Sequence, residues 1–474
     1  MADGVDPETL ARPSDAALAL RDEAGDLASA FVAAVAEAIA AGDAARLNDL
    51  AGDLHEADLG DLIEALDQDD RPKLVELMGR DFDFAALTEV DDTVREEILE
   101  ELEPETVAEG VAELDSDDAV AILEDLTQED REEILEAMPA DERKEVERSL
   151  DYPEGSAGRL MQTSLITVPP HWTVGDAIDH MRDADPDDLP ESFFEIFVVD
   201  AAGRLLGNVF LDRLMRTRRP VPVSDIMDAE RRRIRADEDR EEVARLFERY
   251  NLVSAAVVDE RDRLVGVVTI DDVVDVIQEE AGEDILALGG VKKDEELSDD
   301  VWWIARSRFL WLFVNLVTAF LASSVIGLFA SEVQKMVALA ILVPIVASQG
   351  GNAATQTMTV AVRALATREL TPMNALRVTR REATVGLLNG AAFGLLTGVV
   401  AGAWFADVGI GLVIALAMVT NLVAGALGGI LIPLTLDRLG KDPAVASSPF
   451  VTTVTDVVGN FAFLGIATLW FGLK

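Results

Sequence analysis

Asp456 is the one acidic residue well inside the five long apolar stretches that fill the last third of this 474-residue chain. Its segment reads Phe450-Val-Thr-Thr-Val-Thr-Asp456-Val-Val-Gly-Asn460. A carboxylate at membrane depth costs about 3 kcal/mol unless a cation binds or passes it, so the residue implies cation handling. A second apolar stretch carries Pro344-Ile-Val-Ala-Ser348-Gln349-Gly350-Gly351-Asn352-Ala-Ala-Thr355-Gln356. A proline, paired glycines and several amides loosen a helix, and such irregularity survives in a membrane only beside protein or water. Pro344, Gly351, Asn352, Gln356 and Asp456 are therefore the candidate lining of a hydrated path. Polar contact between helices is the plainer alternative for the residues of the second stretch.

A third group is soluble. In Asp271-Asp-Val-Val-Asp275-Val-Ile-Gln-Glu279-Glu280-Ala-Gly-Glu283-Asp284, Asp272 and Asp275 fall one turn apart, and Glu279 and Glu283 share a helical face. Carboxylates so spaced repel one another until a hard divalent cation neutralises and bridges them. A solvated acidic helix is the alternative.

The elements that hold these groups divide sharply by charge. Residues 301–474 contain 7 acidic and 11 basic side chains, whereas the upstream part contains 82 acidic and 29 basic ones. The net charge of −49 therefore arises upstream, and such a surface repels nucleic acid. The basic residues are almost all Arg. Two accounts of the acid excess stand: a surface that stays hydrated in high salt, and a surface that binds divalent cations. There is no cysteine, which excludes disulfides and thiolate metal sites, and His55, His171 and His180 have no ligand spacing. The first residues lack a basic region followed by an apolar core, so no signal peptide is expected. No nucleophile-base arrangement or phosphate loop is present, and an enzyme is not expected.

Apolar runs of spanning length fall at about 303–330, 335–361, 381–405, 409–436 and 449–472. Arg306 and Arg308 precede the first, Arg363, Arg368, Arg377, Arg380 and Arg381 lie between the second and third, and Arg438 and Lys441 between the fourth and fifth. The positive-inside rule then places the soluble N-terminal region in the cytoplasm and the C-terminus outside. Trp302, Trp303, Trp311 and Trp470 suit an interfacial belt. Gly386, Gly390, Gly394 and Gly398 recur at every fourth position, which implies close helix packing.

Upstream, two repeats set the architecture. Leu54, Leu66, Met78, Val90, Leu102, Leu114, Leu126 and Met138 recur every 12 residues between acidic or proline-containing turns, which predicts short stacked helices with Asp, Ser and Thr caps. Farther on, Phe197-Val-Val-Asp200-Ala-Ala-Gly-Arg-Leu205-Leu-Gly207 returns 59 residues later as Ala256-Val-Val-Asp259-Glu-Arg-Asp-Arg-Leu264-Val-Gly266. Extra residues enter the first copy near Asp183–Glu191.

This second repeat resembles a tandem pair of CBS domains, βαββα modules that often bind adenine nucleotides. The family's Gly-x-x-Thr-x-x-Asp stretch is matched by Gly266, Thr269 and Asp272, whereas the first copy has Gly207, Phe210 and Arg213. The resemblance thus implies nucleotide binding, ATP included, at one of the two sites. Asp272 serves equally well as a helix cap or a metal ligand.

The whole order, with Pro344–Gln356, Lys441-Asp442-Pro443-Ala-x-x-Ser447 and Phe450–Asp456, resembles the MgtE family of magnesium channels or transporters over roughly residues 27–474. The implied fold is multidomain: an all-α helical-repeat N domain, an α/β tandem CBS pair and an all-α five-helix transmembrane domain. Expected boundaries are a flexible tail at 1–26, the N domain at 27–150, CBS domains at 151–217 and 218–274, a plug and connecting helix at 275–300, and the pore domain at 301–474. The resemblance implies a homodimer in the cell membrane that brings two copies of Asp456 together on a magnesium path. It also implies feedback: cytoplasmic magnesium, bound by Asp239, Glu241, Asp272, Asp275, Glu280, Glu283 and Asp284 with Asp442 on the membrane side, closes that path. Magnesium dehydrates reluctantly, so carboxylates would hold it through its waters. The alternatives are a nucleotide-sensing membrane scaffold without a pore, or carriage of other divalent ions such as cobalt.

Overall fold

The computed structural model describes residues 19–473 apart from 125, 186–188, 191, 230–232, 293, 294, 297 and 298, and without the side chains of 446 and 447. Most of the expected N-terminal tail, part of the insertion near Asp183–Glu191 and the side chain of Ser447 lie outside the described residues. The chain divides into two compact units, Met1–Glu279 and Glu280–Lys474.

The first unit begins with nine α-helices among the described residues: α1 (Ser29–Ala41), α2 (Ala44–Ala51), α3 (Glu56–Ala65), α4 (Arg71–Met78), α5 (Asp92–Glu101), α6 (Pro104–Val111), α7 (Ser116–Glu124), α8 (Gln128–Ala137) and α9 (Ala140–Leu150). The 12-residue repeat explains their length. Leu66, Leu102 and Met138 each follow the last residue of a helix with extended backbone, and all three turn into the core. Each repeat thus ends its helix with the side chain that anchors it. Polar caps start the helices, as where Thr127 accepts from the Asp130 amide and Asp43 from that of Arg46.

The tandem modules follow. In the first, β1 (Thr167–Val168), α10 (Val174–Asp183), β2 (Glu195–Val199), β3 (Leu205–Phe210) and α11 (Leu211–Arg216) make the βαββα order. The second repeats it with β4 (Ile234–Arg235), α12 (Arg240–Tyr250), β5 (Ser254–Val258), β6 (Leu264–Thr269) and α13 (Ile270–Gly289). In each sheet the first strand runs parallel to the second and the third antiparallel, and the register slips at Val198/Val199 and again at Val257/Val258. The 59-residue offset therefore extends to the irregularities of the strands. It also pairs equivalents across the modules: buried Glu195 accepts a hydrogen bond from Ser254 Oγ at 2.7 Å.

The second unit holds α14 (Val301–Leu328), the short α15 (Ala330–Lys335), α16 (Val337–Ala366), α17 (Ala375–Trp404), α18 (Val408–Arg438) and α19 (Pro443–Phe471). Five of these are long and apolar enough to cross a membrane. Two expectations change. The second stretch was expected to be irregular, but its backbone stays helical from Val337 to Ala366 with Pro344 inside. Gly350 serves there as a crossing point for a neighbouring helix, and packing against α18 and α19 supports the turns around it. The plug helix was expected to reach residue 300, but it ends at Gly289, followed by Gly290 at φ +75°. Asp300 then starts α14 by accepting from the amides of Trp302 and Trp303.

The glycine ladder of α17 does pack closely. A Cβ on Gly390 would lie 2.9 Å from the Val419 Cα, and one on Gly394 or Gly398 2.7 Å from the carbonyl oxygens of Ala415 and Gly411 in α18. Only hydrogen fits there.

Candidate functional site

Asp456 sits half-buried on α19, and among the described residues it makes no hydrogen bond or ion pair. The hydroxyls around it are committed as donors: Thr452 to the Ser448 carbonyl at 3.0 Å, Thr453 to that of Pro449 at 2.6 Å, and Thr455 to that of Thr452 at 2.9 Å. Their oxygens remain as acceptors. The surroundings are therefore suited to a cation and its water and not to an anion.

On α16, Pro344, Ser348, Asn352, Thr355, Gln356 and Thr359 are all exposed, and their spacing of three or four residues puts them on one face. Gly351 is half-buried beside them. A polar stripe on a membrane-length helix needs water or another protein surface against it. α16 and α19 pack against each other, and both pack on α18.

The candidate sensor acids fall into distinct settings. Asp239 caps α12 by accepting from the Glu241 amide at 2.9 Å, and Glu241 pairs with Arg245. Between them, Arg240 reaches Glu279 of α13 at 2.8 Å. Asp442 caps α19, accepting from the Ala444 amide at 2.7 Å. Glu280, Glu283 and Asp284 are half-buried on the following turns of α13. The end of that helix packs through Ala287 and Leu288 against Ala354, Met358 and Val362 of α16 and Ala444 and Val451 of α19.

Asp272 accepts from the Thr269 hydroxyl at 2.6 Å, so two of the three residues of the CBS motif, Thr269 and Asp272, cap α13. A Cβ on Gly266 would lie 2.5 Å from Met161 Sδ, which accounts for that glycine by packing. The residues sequence reasoning missed face Asp272 from the N domain. Burial pushes the Asp117 carboxyl well above the usual range, and the charge of Asp272 adds to it. Burial, then the charge of Asp115, raises Asp118 to about 6. Asp272 rises to about 7 through burial, against the Thr269 hydroxyl and with Asp271 adding repulsion. Asp275 and Glu89 are raised as well, burial first in each and then Asp271 and Asp275 respectively. Acids from α7, from α13 and from the loop at Glu89 thus share one small volume. Even so, no group of three or more potential ligands among the described residues forms a ready metal cage.

Four stretches match three known families. Residues 343–466 match MgtE, described as a divalent cation transporter; 54–155 match the MgtE intracellular N domain; 157–219 and 223–279 match the CBS domain. A magnesium transporter MgtE of Bacillus subtilis (strain 168) is 33% identical over 321 residues, covering 67% of this chain and 70% of its own length. The chain belongs to the MgtE family. The MgtE of Thermus thermophilus is 38% identical over 323 residues, covering 67% of this chain and 70% of its own. A solved structure described as the cytosolic domain of the Mg2+ channel MgtE in complex with ATP is 32% identical and covers 52% of this chain and 99% of that one, at a TM-score of 0.48. The MgtE fold expected from the sequence, with a helical N domain, a CBS pair with small sheets and five apolar helices, is the fold observed.

Proposed function

We propose that this MgtE family member conducts magnesium ions across a membrane and is closed by magnesium on its cytoplasmic face. The observation that carries the reading is Asp456: a half-buried carboxylate on a membrane-length helix, without a protein partner among the described residues, on a helix packed against α16 with its polar stripe. A hydrated magnesium ion supplies the missing positive charge, and its first-shell waters donate to Asp456 and to the amide and hydroxyl oxygens of Asn352, Gln356 and the threonines. Release demands weak binding, which contact through water provides.

The polar stripe of α16 is uncovered in one chain, and α14 is almost wholly exposed. A second copy would cover such surfaces, so the working unit is a homodimer with two copies of Asp456 facing one path. The arginines before the first span and between the second and third orient the N-terminal region toward the cytoplasm and the C-terminus outside.

Closure uses the acidic volume of the first unit. Without a divalent ion, Asp117, Asp118, Asp271, Asp272 and Asp275 repel one another; magnesium neutralises that repulsion and holds the N domain against α13. Asp239, Glu241, Glu280, Glu283, Asp284 and Asp442 are further proposed ligands. The phosphates of an adenine nucleotide are better matched by Arg233, at the small cavity lined by Glu195, Phe197 and Asn208, than by Asp272, whose neighbouring acids disfavour them.

The deciding experiment is magnesium influx into proteoliposomes holding the native protein or Asp456→Asn. Influx reduced to the rate of empty vesicles is expected for the variant. Native rates in the variant would remove Asp456 from the path, and native protein no faster than empty vesicles would leave the poreless, nucleotide-sensing scaffold.

A further inference from the structure

α18 contains one side-chain amide, Asn421, and it is wholly buried. Its Nδ2 donates to the Val346 carbonyl of α16 at 2.8 Å. Its Oδ1 is also buried and has no partner among the described residues. Glycines face this amide from both neighbouring helices. A Cβ on Gly350 of α16 would fall 2.0 Å from Asn421 Nδ2, and one on Gly459 of α19 2.4 Å from the same atom. One turn along α18, a Cβ on Gly425 would meet the Gly350 carbonyl oxygen at 2.8 Å and the Thr455 Cγ2 at 3.3 Å. Two turns of α18 are thus the seat on which both α16 and α19 rest.

Polar adhesion between helices explains the donation to Val346 but not the remainder. It gives no reason for an amide whose oxygen is stranded, at a cost of about 1–3 kcal/mol relative to an apolar side chain of similar size. Nor does it explain why each flanking helix offers hydrogen where other residues offer a methyl. The residues concerned are neighbours in sequence of the proposed path lining: Gly350 lies two positions before Asn352, Thr455 directly precedes Asp456, and Gly459 lies three positions after it.

We infer that Asn421 is a positioning residue that sets the separation between the Asp456 helix and the amide face of α16, and with it the discrimination among hydrated divalent ions. This rests on the reading of Asp456 as the ion site. Magnesium holds its oxygens at about 2.0–2.1 Å in a stiff octahedron, whereas calcium accepts about 2.3–2.6 Å and variable geometry. A path that reads a hydrated ion by the spacing of its walls loses that distinction when the spacer is removed.

The test is influx of Mg2+ and Ca2+ into proteoliposomes of the full-length protein for Asn421→Ala, Gly459→Ala and the double variant. Asn421→Ala is expected to raise the KM for Mg2+ about tenfold and to reduce the preference over Ca2+ by a similar factor, with the maximal rate within about twofold of native. Gly459→Ala alone, whose methyl meets the amide, should also impair discrimination. The double variant, in which that methyl occupies the vacated space, should recover at least half of it. Should Asn421→Ala fail to assemble, Asn421→Ser carries the same expectation. Native KM and discrimination in an assembled variant would overturn the inference, as would an equal fall in maximal rate for both ions without rescue. Asp456→Asn measured alongside separates the two levels: if it conducts like the native protein, the ion-site reading itself has failed.

Discussion

The guanidinium of Arg240 meets the carboxylate of Glu279 at 2.8 Å, tying the start of α12 to α13. The contact falls between Asp239 and Glu241, both proposed as sensor ligands, so a fixed cation stands among groups that await a mobile one. Removing it by Arg240→Ala leaves Glu279 with less compensation and raises the local demand for divalent charge. A partly exposed pair of this kind is worth about 0.2–1 kcal/mol, so the cytoplasmic magnesium concentration for half-closure should fall by roughly 1.4- to fivefold. Flux measured against internal magnesium gives the answer; a rise in that concentration would contradict the assignment.

The acids shared by the N domain and α13 make stability depend on pH. Asp118 and Asp272 have folded-state values near 6 and 7, above the ordinary 3.8 of an unfolded Asp. The folded protein therefore holds more protons than the unfolded one between those limits, and stability falls as pH rises. It is fully present below about pH 4 and lost by about pH 7 to 8, at about 1.4 kcal/mol for each unit by which a folded value is raised. Thermal melting of the full-length protein in chelator should show a lower midpoint at pH 8 than at pH 5.5. Added magnesium should close most of that gap.

Asp117 and Asp118 give a sharper test of the same volume, because neither belongs to a recognisable motif. Asp117→Asn should melt higher than the native protein in chelator at pH 8 and gain less from magnesium. Asp118→Asn should require about tenfold more internal magnesium for half-closure, which corresponds to about 1.4 kcal/mol of lost ion binding. Native magnesium dependence in both variants would remove these acids from the sensor.

Gly290 is held from two directions. Its φ of +75° disfavours a side chain, and a Cβ there would fall 1.6 Å from Trp311 Nε1. Gly290→Ala should cost about 1–3 kcal/mol through overpacking and strain, seen as a lower melting midpoint. Trp311→Ala in the same chain should relieve the collision with the ring but not the backbone strain. An unchanged midpoint for Gly290→Ala would mean that the segment after α13 shifts freely.

Local periodicity made much of this architecture legible. The 12-residue anchors Leu66, Leu102 and Met138 are visible because each helix must end on a side chain that reaches the core, and the 59-residue offset is visible because paired modules repeat their strands. The continuity of α16 was hidden: Pro344 and the Gly350-Gly351 pair signal a break, and only the neighbouring helices show that Gly350 marks a crossing. Asp117 and Asp118 were hidden for another reason. Among 89 acidic residues, what distinguishes them is a meeting with α13 more than 150 positions away, and no spacing encodes that. Asn421 did carry a signal, as the one amide of α18, but its meaning required the two glycines that face it.

The glycine seam between α17 and α18 has a mechanical consequence. Where carbonyl oxygens and Cα atoms of one helix occupy the space a methyl would need on the other, neither helix can slide or roll by even one side chain's width without collision. The pair is a stator. Motion that opens and closes the path must then come from elements less tightly interlocked, and α14, which within the apolar bundle packs mainly on α19 and is held near its start by Glu295 and Gly290, is the part with room to swing.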